Sequence, residues 1–100
     1  MKILHLTLKK KWFDMILSGE KKEEYREFKE YWKKRLDWYN PNGYFINKIK
    51  FINGYGNNRP WFIVELERIQ TGTGFIKWGA PAGECFILKL GKILDKGNIK

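Results

Sequence analysis

A short charged segment, residues 18–26, combines the residue types that build polar sites in proteins. It reads Ser-Gly-Glu-Lys-Lys-Glu-Glu-Tyr-Arg, with one glycine, three cations and three carboxylates. If Lys21, Glu24 and Arg26 meet in a partly buried cleft, the two cations keep the carboxylate ionised and Arg26 can bind a carboxylate or phosphate with two hydrogen bonds. A lysine beside an arginine has a lowered pKa unless a carboxylate compensates, and it can then act as a base or an electrophile. The alternative is a solvated row of ion pairs, which contributes little to stability.

The elements on either side of this segment must position its side chains. The apolar residues of Lys9–Ser18 recur at helical spacing, which predicts a helix that Gly19 ends, because glycine adopts a left-handed C-terminal turn without a Cβ clash. A strand is expected from Lys21 to about Glu27. Its alternation places Lys22, Glu24 and Arg26 on one face, and Glu23 and Tyr25 on the other, with Lys21 at the turn itself.

The rest of the chain reads as strands with one more helix. An opening strand is expected near Ile3–Leu8 and a second amphipathic helix over Phe28–Tyr39, followed by a turn at Asn40–Gly43. Three further strands are separated by glycine-rich loops, and their predicted bounds are Tyr44–Asn53, Trp61–Gln70 and Glu84–Leu90. Thr71–Gly74 is expected to end the second of these strands. Phe75–Trp78 is expected to be a short strand or a connection, and about 94–100 a polar tail.

This order of elements predicts one α+β domain over residues 1–100. Short strands with two helices inserted early favour a small β-barrel of five to six strands, with the two helices packed at one end. Strands and helices do not alternate regularly, so a doubly wound parallel sheet is not expected. The 43% hydrophobic and 17% aromatic content is typical of a folded chain.

The net charge and the cysteine content limit the kinds of partner and site that this protein can have. Twenty basic against eleven acidic residues give a formal charge of +9, spread over both halves of the chain, which favours a polyanionic partner such as nucleic acid. Cys85 is the only cysteine, so no intrachain disulfide and no thiolate metal cluster can form, and a small buried thiol is expected. No apolar run is long enough to cross a bilayer and no signal peptide is recognisable, so a reducing cytoplasm is expected.

The segment resembles the characteristic motif of the ASCH domain, a member of the PUA-like superfamily. The motif G-x-K-x-x-E-x-R is matched by Gly19, Lys21, Glu24 and Arg26, with a helix before it and a strand after it. The resemblance covers the chain from Ile3 to about Ile93. It implies a PUA-like β-barrel of five to six strands, with the motif residues lining a cleft between barrel and helices. It also implies an RNA- or nucleotide-binding module.

The resemblance also implies an alternative, because one branch of small bacterial members hydrolyses the acetyl amide of acetylated cytidine. That branch uses the motif lysine, a threonine three residues later and a more distant glutamate. Here Lys21 matches the lysine, and Glu24 stands where that branch has threonine. Other members have been linked to RNA cleavage. A hydrolase would use Lys21 as base or electrophile and Glu24 as proton carrier or orienting group.

Further residues are weaker candidates for the same site. Tyr55 lies in the glycine-rich loop after Asn53 and can stack on a base, and Trp78 before Gly79 allows the same interpretation. Core or hairpin packing is the alternative for both aromatics. The basic side chains of the two predicted helices would form a phosphate-guiding rim if both helices flank one cleft; the candidates are Lys10, Lys33 and Lys34. The alternative is an ordinary solvated helix surface.

Three further glutamates could supply a second carboxylate to the site. Glu65, Glu67 and Glu84 each lie on a predicted strand, and the sequence does not choose among them. His5 is a lone histidine without a cysteine or histidine cluster, so no metal and no cofactor is expected. Three functions remain open: a module for single-stranded RNA or a nucleoside or nucleotide ligand, a hydrolase of a modified nucleoside or RNA, and a small module that binds a protein partner.

Overall fold

The computed structural model describes residues 2–38 and 46–99. Its strands and helices, in chain order, are β1 (Lys2–Leu8), α1 (Lys10–Leu17), β2 (Glu23–Glu27), α2 (Glu30–Arg35), β3 (Ile46–Asn53), β4 (Trp61–Thr73) and β5 (Glu84–Gly97). A single 3₁₀ turn over Ile76–Trp78 lies in the connection between β4 and β5. The predicted turn at Asn40–Gly43 and the predicted strand start at Tyr44 fall outside the described residues.

The strands form one mixed sheet in the order β1-β3-β4-β5-β2. β1 runs parallel to β3, and the three other pairs are antiparallel. The predicted α+β class is therefore confirmed, with a five-stranded sheet and two helices. β1 and β2 occupy the two edges, and within the described residues they do not pair, so the sheet is open rather than a closed barrel.

The main core cluster lies on one face of this sheet and under α1, and a smaller cluster consists of Tyr25, Ala80, Cys85 and Ile87. The alternation expected for the first strand is confirmed, because Leu4, Leu6 and Leu8 are buried while Ile3 and His5 are exposed. Phe13 and Ile16 of α1 join the same cluster, as their helical spacing predicts. The other members come mainly from β3, β4 and β5; they are Leu36, Ile46, Ile49, Phe51, Phe62, Val64, Leu66, Phe86, Leu88 and Leu90.

Two strands are longer than predicted. The expected break at Thr71–Gly74 is wrong for its first three residues, because Thr71, Gly72 and Thr73 continue β4 and pair with the start of β5. β5 itself runs to Gly97, so most of the expected polar tail is strand. Its last residues remain paired with β4, where Gly97 lies opposite Trp61. Cross-strand pairing thus makes these segments strands, although their own residues have a weak preference for strand.

Other elements are shorter than predicted. α2 spans only Glu30–Arg35 of the predicted Phe28–Tyr39, whose last residue falls outside the described part of the chain. The aromatic residues on either side of α2 contact each other: Trp38 lies edge-on to Phe28, with ring centroids 6.0 Å apart, and 5.2 Å from Phe86. β2 begins at Glu23 instead of Lys21. No helix in the described part of the chain is long and apolar enough to span a membrane.

Candidate functional site

Three of the motif residues form one ion group: Lys21, Glu24 and Arg26. Glu24 is central, because its Oε1 lies 3.0 Å from Lys21 Nζ and its Oε2 lies 3.0 Å from an Arg26 guanidinium nitrogen. The side chains of Lys21 and Glu24 are 1% and 6% exposed, whereas that of Arg26 is 17% exposed. The interpretation as a solvated charge ladder is therefore wrong, since two of the three members are buried.

Lys21 is enclosed by aromatic rings and a carbonyl. Its ammonium group donates a hydrogen bond to the backbone carbonyl of Trp78, and it lies 4.8 Å from the Trp12 ring centroid and 4.9 Å from that of Tyr25. Burial lowers the pKa of Lys21 below its ordinary value of 10.5, although the carboxylate of Glu24 counteracts part of that shift. Lys21 thus connects the start of β2 with the turn before β5.

Local backbone geometry explains why Lys21 points inward. Gly19 adopts φ +87°, as its predicted C-terminal position requires, and the amides of Gly19 and Lys21 donate to the carbonyls of Ile16 and Met15. Gly79, which follows Trp78, adopts φ +90°, and a Cβ there would lie 2.8 Å from the Trp12 ring. Glycine at 79 therefore lets Trp12 pack over Lys21.

The opposite face of β2 carries a second polar network. The Tyr25 hydroxyl donates to Glu23 Oε1 at 2.7 Å and accepts the Phe75 amide at 3.2 Å, while Lys89 forms an ion pair with Glu23. Burial alone would raise the pKa of Glu23, but hydrogen bonds from Lys89 and Tyr25 bring it below its ordinary value of 4.5. Burial and Glu23 together raise the pKa of Tyr25. Lys21 and Tyr25 therefore hold both ends of the Phe75–Trp78 turn.

Arg26 lines an open cleft of about 360 Å³, which we call the Arg26 cleft. Its walls come from both edge strands, from α2 and from the loop after β3; the lining residues are His5, Leu6, Thr7, Arg26, Tyr31, Trp32, Arg35 and Tyr55. Because β1 and β2 are opposite edges of the sheet, the sheet curls enough for both to line one cleft.

Two guanidinium groups and several aromatic rings define the chemistry of this cleft. The guanidinium carbons of Arg26 and Arg35 lie 5.1 Å and 5.4 Å from the Trp32 ring centroid. Arg35 also donates to the His5 carbonyl at 3.0 Å, which ties α2 to β1. Arg26 is fixed by Glu24 and by a 2.6 Å bond to the Tyr25 carbonyl. Such pre-positioned cations suit a phosphate or carboxylate.

The other predicted binding residues separate into two groups. Tyr55 lines the Arg26 cleft and is 86% exposed, and Trp78 joins the Lys21 end through its carbonyl. Asn53 instead bonds the Leu8 carbonyl at 3.1 Å and does not line the cleft. The lysines predicted to form a rim do not line it either; Lys10 pairs with Asp14 at 2.6 Å, Lys33 lies 4.4 Å from the Phe28 ring centroid, and Lys34 is exposed.

None of the three carboxylates left open by the sequence lines the Arg26 cleft. Glu67 lies on a different cavity, which Lys21 also borders. Glu65 accepts the Lys92 amide at 3.4 Å, and Glu84 is exposed at the start of β5. Among residues 2–38 and 46–99, no group of three or more His, Cys, Asp or Glu residues could hold a metal ion. Cys85 is buried with a free thiol, as expected.

Sequence reasoning missed part of the cleft. Tyr31 and Arg35 lie four residues apart on α2, which places them on one helix face, and Arg35 bonds the Tyr31 hydroxyl at 3.3 Å. That spacing distinguishes Arg35 from the neighbouring lysines. Trp32 packs against the core, and its ring also lies against both arginines.

Comparison with known proteins gives no match: no protein-family model, no curated protein and no solved structure is similar to this chain. The chemistry of the cleft follows from its own groups. Guanidinium groups bind phosphate oxygens with paired hydrogen bonds, and an exposed aromatic ring stacks on a nucleobase.

Proposed function

We propose that this protein is an ASCH-type module that binds single-stranded RNA or a nucleotide in the Arg26 cleft. The observation that carries the proposal is the meeting of Arg26, Arg35 and Tyr55 around one cleft. Two guanidinium groups supply phosphate contacts and the exposed tyrosine supplies a stacking surface. Glu24 is buried and pairs with Arg26, and the guanidinium group of Arg26 remains partly exposed to the cleft.

The size of the cleft supports a single-stranded ligand. About 360 Å³ is near the lower end of the range for small-molecule sites, which suits one base or one nucleotide. A base of a single strand is free to leave its neighbours and stack on an aromatic side chain, whereas a paired base is not. The charge of +9 supplies the general attraction that brings a polyanion to the surface.

The fold proposed with this function is the PUA-like one. The sheet is curled, and both of its edge strands line one cleft. Pairing of these two edge strands would close such a sheet into a small barrel. Two observations support this fold: the sheet has five strands, and the motif follows directly after α1. The proposed setting is a reducing cytoplasm, in which buried Cys85 remains a thiol.

A hydrolase that acts on a modified nucleoside or RNA is the second proposal. One observation favours it: burial lowers the pKa of Lys21, which is the direction that a lysine base needs. Against it, the ammonium group of Lys21 is occupied by Glu24 and by the Trp78 carbonyl, and Lys21 does not line the Arg26 cleft. Incubation with acetylated cytidine tests it; release of acetate would support it, and unchanged substrate at high protein concentration would remove it.

The binding proposal is tested by fluorescence anisotropy with a short labelled single-stranded RNA. We expect binding that weakens steeply as the salt concentration rises. Arg35→Ala should raise the Kd about tenfold, since it removes a pre-positioned phosphate contact. Arg68→Ala is the matched control, because it removes the same charge from an exposed arginine that pairs with Gln70 away from the cleft.

The comparison between these two variants decides the outcome. Arg68→Ala should change the Kd by no more than about twofold, through the general field alone. Equal losses for the two variants would show that binding is spread over the basic surface and would overturn the cleft as the site. Because Arg35 also bonds the His5 carbonyl, urea unfolding of each variant must accompany the titration. A pull-down that yields a protein and no RNA would favour a protein-interaction module instead.

A further inference from the structure

The antiparallel ladder between β4 and β5 is irregular at its middle. Val64 lies opposite Ile93 and Leu66 lies opposite Leu90, so two β5 residues, Gly91 and Lys92, face the single residue between Val64 and Leu66. The next pair, Arg68 with Lys89, leaves Glu67 as the extra residue on β4. Two bulges of opposite sense therefore follow each other, next to a further register shift between Ile63 and Val64. Bulges redirect side chains and are enriched beside functional sites.

These bulges open a cavity of about 550 Å³, which we call the bulge cavity. It lies between the bulges and the turn that leads from α1 to β2. Its charged lining residues are Lys21, Lys22, Glu67 and Lys92; the other lining residues are Ile16, Gly19, Val64, Leu90, Gly91 and Ile93. A cavity of this volume falls within the range of small-molecule sites. It is distinct from the Arg26 cleft, because the two share no lining residue.

Side chains of β4 pack closely against Gly91 in the bulge. A Cβ at Gly91 would lie 3.0 Å from the Cβ of Glu65 and 3.3 Å from the Cγ of Glu67. Glycine is thus the residue that lets β5 pass against these side chains. The Lys92 amide donates to Glu65 at 3.4 Å, and the Leu90 amide donates to the Lys22 carbonyl at 3.1 Å, which fixes the bulge against the start of β2.

The cavity combines an apolar floor with charges at its rim. Ile16, Val64 and Leu90 are at most 8% exposed, so they form an apolar floor. Lys22, Glu67 and Lys92 are exposed, and none of their side-chain charges has an ion-pair or hydrogen-bond partner within residues 2–38 and 46–99. Lys21 adds little charge to the rim, since Glu24 pairs with its ammonium group. Two cations against one carboxylate favour an anionic ligand.

We propose that the bulge cavity binds a small organic anion with an apolar body. The anionic group pairs with Lys22 and Lys92, and the apolar body lies over Ile16, Val64 and Leu90. Glu67 accepts a hydrogen bond from a donor on the ligand, such as an amine or a hydroxyl. This site does not depend on nucleic-acid binding at the Arg26 cleft.

The test is an NMR titration of the whole protein with phenyl phosphate and benzoate as anionic probes. Benzyl alcohol serves as the neutral probe of similar size. We expect the anionic probes to shift the amide signals of Gly19, Lys22, Gly91 and Lys92, and benzyl alcohol to bind at least about tenfold more weakly. Shifts elsewhere on the surface without shifts at Gly91 and Lys92 would overturn the proposal, as would equal binding of benzyl alcohol.

Charge variants test the rim directly. The double variant Lys22→Gln with Lys92→Gln should raise the Kd of phenyl phosphate about tenfold, because it removes both pairing cations. The matched control, Lys11→Gln with Lys77→Gln, removes two charges from a different groove and should leave the Kd nearly unchanged. Both pairs lie on the surface, so both variants should fold. Equal losses in the two double variants would overturn the site.

Discussion

Lys21 and Arg26 bind the same carboxylate at the same distance, yet their surroundings are opposite. Each lies 3.0 Å from an oxygen of Glu24. Lys21 is closed in by Trp12, Tyr25 and the Trp78 carbonyl, with 1% of its side chain exposed. Arg26 keeps 17% of its side chain exposed and faces the Arg26 cleft. One ion group therefore has a closed end and an open end.

The difference assigns two tasks to one motif. At the closed end, the ammonium group of Lys21 bonds only to groups of the protein, and these bonds fix the turn between β4 and β5. At the open end, the same carboxylate orients a guanidinium that still has donors to offer. A buried ion pair contributes little net stability, but removing one partner is costly because it strands the other charge. The two ends should therefore respond differently to substitution, in stability at one and in binding at the other.

The largest expected effect is at the closed end. Lys21→Ala should lower the free energy of unfolding by about 3 kcal/mol, because it leaves Glu24 buried with one partner fewer and the Trp78 carbonyl without its donor. Urea denaturation followed by tryptophan fluorescence measures it. Lys10→Ala is the control, since its partner Asp14 is also exposed, and it should cost less than about 0.5 kcal/mol. Similar losses would mean that the closed end contributes no more than a surface pair.

The packing of Trp12 over Lys21 gives the next effect. Gly79→Ala should destabilise the protein by about 2 kcal/mol more than Gly83→Ala, because the new Cβ would lie 2.8 Å from the Trp12 ring. Gly83 is a matched control: it also has a positive φ, of +80°, but nothing lies within 4 Å of its added Cβ. Thermal unfolding of both variants measures the difference. Equal destabilisation would show that backbone strain alone acts and that the Trp12 contact is dispensable.

The Glu23 network should make stability depend on acid pH. Its folded pKa lies below the ordinary value of 4.5, so its contribution is complete above pH 4.5 and is lost as the pH falls through the folded value. Glu23→Gln should therefore cost about 1 kcal/mol at neutral pH and give a flatter fall in stability with acid. Unfolding measured across this pH range checks both. An unchanged acid slope would mean that other carboxylates dominate it.

The smallest stability effect is expected at the open end. Tyr55→Ala should leave the free energy of unfolding within about 0.5 kcal/mol, because the side chain is 86% exposed. It should nevertheless raise the Kd for single-stranded RNA about tenfold, through the loss of base stacking. Phe75→Ala, at an aromatic residue outside the cleft, is the control for the binding measurement. Unchanged RNA affinity in Tyr55→Ala would remove stacking from the proposed function.

Local signals predicted the strand part of the ion group well. The helical spacing before Gly19 and the alternation after Lys21 correctly placed Glu24 and Arg26 together, with Tyr25 on the other face. Extension of β4 and β5 was missed, because residues such as Thr71 and Asp95 become strand through pairing rather than through their own preference. The lysines predicted as a rim do not line the Arg26 cleft. A helix turns by 100° per residue, so Lys33 and Lys34 cannot share the face of Arg35.

The sequence by itself determined the α+β class, the turn at Gly19 and the residues of the ion group, because each depends on neighbours a few positions away. Only the tertiary structure decided which cation is buried. The Trp78 carbonyl that accepts the hydrogen bond from Lys21 lies 57 residues along the chain. The two edge strands line one cleft only because the whole sheet curls. Solvent exposure is a property of the packed chain, and it is what separates a buried structural lysine from an arginine available to a ligand.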